Sequence, residues 1–168
     1  MSDVGVRLRA GVPAGVVATI TMDAAMVAAA RLGGEGFASE RTDLAVIGRW
    51  GRGLLRARWP HVDASREEPG ALDAVLGMVT HYLTGIALTE AFVLVPWRRP
   101  GSTFAAAVAY GVATSVFPLL VLFPSLGYGP LGLRSGEAAK LGRIMLVGHT
   151  AFGVGIGLGA AHLAAQRR

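Results

Sequence analysis

ALDAVLGMVTHYLTGIALTEAFVLVPW, residues 71–97, decides the fold. An apolar run of this length crosses a bilayer as a helix, because lipid leaves the backbone no other way to satisfy its own hydrogen bonds. Inside it lies Val79-Thr80-His81-Tyr82-Leu83-Thr84-Gly85, which sets an imidazole, a phenol and two hydroxyls at membrane depth. An ionisable group there is costly, so it marks a candidate functional site.

The rest of the chain agrees with a lipid solvent. Of 168 residues, 52% are apolar and only 16% charged, unlike a water-soluble domain. The net charge of +5 comes almost wholly from arginine, with Lys140 as the sole lysine. These arginines flank the apolar runs, where they read as headgroup anchors and topology signals, so nucleic acid is not an expected partner. The absence of cysteine excludes disulfides, thiolate catalysis and thiolate-held clusters.

Hydropathy places the spans at about residues 11–31, 72–95, 102–123 and 141–165. Between the first two, a polar stretch holds a helix at about residues 43–58, capped by Thr42 or Asp43. Leu44, Ile47, Gly51, Leu54 and Leu55 form its apolar stripe, and Arg49, Arg52 and Arg56 take the other face. With Trp50 and Trp59 it reads as an amphipathic helix lying in the membrane interface. A solvated helix packed on the protein's own loops is the competing reading. The expected fold is all-α: one transmembrane domain, residues 1–168, built as an integral membrane four-helix bundle with that interfacial helix between helices one and two.

The basic start before Gly11 and Ala28-Ala29-Ala30 also fit a cleavable signal peptide, but Asp23 interrupts the apolar region. Pro96-Trp97-Arg98-Arg99-Pro100 makes a tight turn, Pro118 should kink the third span, and residues 124–136 form a Pro- and Gly-rich loop. Four spans put both termini on one side. Cues to which side disagree: charges around the first span and at Arg98-Arg99 place the termini in the cytoplasm, whereas the larger basic count lies in the long first loop. Gly11 and Gly15, and Gly153 through Gly159, supply G-x-x-x-G spacings suited to close helix packing within the bundle or to a homo-oligomer.

Counting about 1.5 Å per residue from the span ends puts Asp23, His81, His149 and the Thr114-Ser115 pair in one layer, roughly 12 Å deep. His61, in the loop above, can dip toward it. Asp23, His81 and His149, with His61, Thr114 and Tyr82, are therefore the candidate ligand- or proton-binding residues, and His61, His81 and His149 the candidate metal ligands. Three chemistries fit: a proton relay, a metal site, and a haem gripped between two histidines. Nothing in the ligand spacing selects a cofactor, which stays unknown. The bland alternative for each histidine is a hydrogen bond that bridges helices. Glu90 stands apart from this layer, about nine residues below His81 in the half of the other leaflet, where an ion pair or snorkelling is the expected state. No G-x-S-x-G elbow or phosphate loop appears, so catalysis is not the leading reading.

Several short pieces together resemble a bacterial family of small inner-membrane proteins called domain of unknown function 2938. They are Thr21-Met22-Asp23, Gly48-Arg49-Trp50, Arg58-Trp59-Pro60-His61, His81-Tyr82 with Gly85, Pro118, Pro124 with Gly127-Tyr128-Gly129, and His149-Thr150-Ala151-Phe152-Gly153. The resemblance covers nearly the whole chain. It implies a four-helix membrane protein without an assigned activity, in which Asp23, His61, His81 and His149 belong to the family pattern. Here Ala24 and Ala25 follow Met22-Asp23 in place of the apolar-aromatic pair of the family, which widens the space beside Asp23. Function is thus expected to be either ligand, metal or proton binding through Asp23, His81 and His149, or a structural or assembly role in a larger membrane complex. A lipid-handling enzyme is the third reading. The expected location is the inner membrane, with multiple passes.

Overall fold

The computed structural model describes residues 3–62, 66–68, 70–94 and 100–165, with side chains described for 11–62, 66–68, 70–94 and 103–161. The expected Pro96-Trp97-Arg98-Arg99 turn and the side chains of Arg7, Arg9, His162, Arg167 and Arg168 lie outside the described residues. Every described element is helical: α1 (Asp3–Gly33), α2 (Leu44–Leu55), α3 (Asp73–Leu94), α4 (Pro100–Thr114), a short turn α5 (Phe123–Ser125) and α6 (Ala138–Ala165). Four stretches are long and apolar enough to cross a membrane: Gly11–Phe37, Asp73–Leu94, Thr103–Ser125 and Ala138–Ala161. The chain is a multi-pass helical membrane protein.

Local chemistry sets several boundaries. Asp43 caps α2, its carboxylate accepting the Ala45 N–H at 2.8 Å, so α2 starts where a side chain satisfies an otherwise orphaned donor. Pro118 has no N–H to give the preceding turn, and the α4 span accordingly breaks at Ser115 and continues as a π-helix over Pro118–Leu122. Gly127, at φ 81°, provides the left-handed residue that turns the chain out of α5.

The chain divides into two compact units. The first comprises Met1–Ala28, Tyr82–Thr114 and Leu146–Arg168, and is a bundle of segments from α1, α3, α4 and α6. Its core is Ala18, Phe92, Ala107, Phe152 and Ile156. Glycine lets the backbones meet: a Cβ on Gly155 would come within 2.6 Å of Ala18 Cα, and one on Gly15 within 2.7 Å of Ile86 Cα. In lipid, where apolar surface alone does not drive helices together, such close approach supplies the packing. The glycine spacings of α1 and α6 are used here, inside the bundle.

The second unit comprises Ala29–His81 and Ser115–Met145. Within it α2 lies directly on the start of α3, since added Cβ atoms on Gly48 and Gly77 would collide with the backbones of Asp73 and Leu44. The contact turns α2 unexpectedly. Val46, Gly48, Arg49, Trp50 and Gly53 are its buried residues, while Leu54 and Leu55 of the expected apolar stripe are exposed. Arg49 thus faces inward, only 4% exposed, because Asp73 at the head of α3 offers it a carboxylate.

Candidate functional site

Two cross-helix hydrogen bonds form the polar centre of the first unit. Tyr82 Oη of α3 donates to Asp23 Oδ2 of α1 at 3.0 Å. Thr114 Oγ1 of α4 lies 2.8 Å from His149 Nδ1 of α6. Along α1 and α6, Ala14 sits opposite Gly159, Ala18 opposite Gly155, and Met22 and Met26 opposite Gly148. Continuing that antiparallel register sets Asp23 level with the His149 turn, so both pairs share one depth. All four helices of the unit contribute one member.

The Thr114 hydroxyl also orients the imidazole. It donates its single proton to Gly111 O at 2.6 Å, a carbonyl that can only accept. Its lone pairs then take the Nδ1–H of His149, which fixes the neutral ring as the Nδ1–H tautomer and makes Nε2 the basic nitrogen. His149 is buried, whereas Asp23, Tyr82 and Thr114 are partly buried. Asp23, Tyr82, Thr114 and His149 are brought together in this unit. Ser115, next along the chain, is buried and belongs to the second unit.

His61 and His81 also belong to the second unit. His81 is partly buried on α3. His61 is buried, with Nδ1 against Gly53 and without a hydrogen-bond partner among the described residues, while Nε2 lies 2.7 Å from Glu67 Oε1. Among the described residues, no three His, Asp or Glu side chains gather closely enough to hold a metal ion.

Sequence reasoning missed the charged cluster around His61. Arg52 bridges Asp73 Oδ1 at 3.3 Å and Glu67 Oε2 at 3.4 Å, and Arg49 lies 4.0 Å from Asp73 Oδ2. Asp73 also accepts the Gly70 N–H at 2.7 Å, a capping contact that pins the entry to α3. The readable signal was an aspartate in the first helical turn after Gly70, at the mouth of an apolar span.

Two half-buried carboxyls of the second unit are held below the usual glutamate range. For Glu67 the chief cause is the His61 hydrogen bond, followed by the charges of His61, Arg52 and Arg58. For Glu137 it is the hydrogen bond from Ser39 Oγ at 2.7 Å, helped by Lys140 and Arg41. A depressed folded-state pKa adds stability that is present above the unfolded value of about 4.3 and is lost as pH falls through the folded value. Thermal unfolding in detergent is therefore expected at lower temperature below about pH 4, and Glu67→Gln with Glu137→Gln should flatten that dependence. An unchanged acid slope in the double variant would contradict it.

No curated protein and no solved structure matches the sequence. The family described as "Protein of unknown function (DUF2938)" matches residues 12–163, a stretch holding all four members of the polar layer together with His61 and His81. The chain belongs to that family.

Proposed function

We propose that this chain is a multi-pass protein of the bacterial inner membrane that takes up a proton in the layer formed by Asp23, Tyr82, Thr114 and His149. The observation that carries the reading is the pair of hydrogen bonds at one depth, each joining an ionisable group to a hydroxyl from a different helix. A carboxylate and an imidazole at membrane depth are costly to keep unless they do work there. The Tyr82 phenol donates to the Asp23 carboxylate, and the Thr114 hydroxyl presents His149 with Nε2 as proton acceptor. No cofactor is required for this chemistry.

Infrared difference spectra of the protein in lipid vesicles across a pH step test it. The wild type should show carboxyl and imidazole bands that disappear in Asp23→Asn and His149→Gln respectively, with a loss of about one bound proton for each variant. Identical proton uptake in wild type and the double variant would sink the reading. If the variants instead unfold and the wild type binds no proton, the hydrogen bonds serve to lock helices, and the chain is a structural subunit.

A further inference from the structure

The α1–α3 seam of the first unit carries a second carboxyl that the polar layer does not use. Tyr82, Ile86 and Glu90 follow at four-residue spacing on α3 and meet Asp23, Gly15 and Gly11 of α1 in turn. Thr19, buried between them, packs against Gly85 and donates to Gly15 O at 2.9 Å. One seam thus ends in Asp23 at one level and Glu90 at another, eight α3 residues from Tyr82, or about 12 Å.

Glu90 is half-buried and its carboxyl sits in this seam. A Cβ on Gly11 would come within 2.5 Å of the Glu90 carboxyl carbon and of both its oxygens, so the missing side chain is what seats the carboxyl. Oε2 is sealed from the surface and has no hydrogen-bond partner among the described residues. α4 packs on the other face of α3, where its titratable Tyr110 donates to Leu88 O at 2.9 Å and stacks on Phe92. The side chains of Arg7, Arg9 and His162 fall outside the described residues. Glu90 as a whole is half-buried, and an ionised carboxylate with one oxygen sealed against a glycine carries a desolvation cost that a bound proton removes.

We infer that Glu90 is a proton-exchanging carboxyl held in a glycine cradle, a second station on the same seam as Asp23. That the two form one path rests on the proton reading of the polar layer. The exchange at Glu90 does not depend on it.

Dicyclohexylcarbodiimide, a lipid-soluble reagent, tests the inference on the full chain in vesicles. A protonated carboxyl adds across the reagent: its proton goes to one nitrogen, its oxygen bonds the central carbon, and acyl migration to nitrogen leaves a stable N-acylurea. Nothing departs, so the mass rises by one reagent molecule. Peptide mass mapping should find the adduct on Glu90, falling about tenfold per pH unit once the group ionises. Glu90→Gln should abolish it, and Gly11→Ala, which displaces the carboxyl, should reduce it several-fold at unchanged pH. Labelling that ignores pH, or no labelling of Glu90 at any pH, would overturn the inference. Protection by sodium or potassium ions at constant pH would also overturn it, by identifying a metal cation as the ligand. Asp23→Asn should leave the adduct intact, so a failure of the polar layer and a failure of Glu90 are separately visible.

Discussion

Replacing Asp73 by alanine is expected to destabilise the second unit by about 3–5 kcal/mol, the range for removing one partner of a buried ion pair. Asp73 is 1% exposed and takes contacts from Arg52, Arg49 and the Gly70 N–H together. Its loss removes the carboxylate facing buried Arg49 and the capping acceptor at the head of α3 in a single step. Asp73→Asn keeps an acceptor for Gly70 but not the charge, and should cost less. Arg49→Met in the Asp73→Ala background should recover part of the loss, because the buried positive charge is then gone as well. Denaturant titration in mild detergent measures all three. If Asp73→Ala proves as stable as wild type, the cluster does not hold α2 on α3.

The second large effect is expected where α4 crosses α6. A Cβ on Gly111 would lie 2.5 Å from the Gly153 Cα and N and from His149 O, all of them backbone atoms that cannot turn aside as a side chain can. Gly111→Val should therefore push the helices apart at a cost of about 3 kcal/mol, the upper end of ordinary overpacking. The damage reaches the site, because Gly111 O is the acceptor that orients Thr114 and Thr114 holds His149. Proton uptake assigned to His149 should fall with the melting temperature. Gly142→Ala is the matched control: an added Cβ meets nothing within 4 Å, and alanine favours the helix by about 0.5–1 kcal/mol. A Gly111→Val protein as stable as the control would show that the crossing tolerates side chains.

The two substitutions probe different physics. At Asp73 the cost is electrostatic, arising from charge taken out of water and matched inside the protein. At Gly111 it is steric, arising from helices close enough for backbone contact in a solvent that offers no hydrophobic drive to assemble them. Sequence inspection finds glycines and arginines equally well. It does not rank them, since Gly142 and Gly111 look alike in a helix and only one of them touches a neighbour.

The sequence by itself determined the helical class and the four spans. Hydropathy and rise per residue are properties of a segment taken alone, and lipid forbids a spanning segment any other conformation except a closed barrel. It offered Asp23, Tyr82, Thr114 and His149 as candidates together with His61 and His81, which fall in the second unit. What only the tertiary structure decided is how each helix is rotated about its axis and which side chain therefore meets which. Rotation paired Tyr82 with Asp23 and Thr114 with His149, seated Glu90 on Gly11, and turned Arg49 inward to Asp73. A helix that is apolar on nearly every side carries little amphipathic signal for its facing direction. Close packing of small residues against neighbouring backbones settles that direction, and those neighbours exist only once the chain has folded.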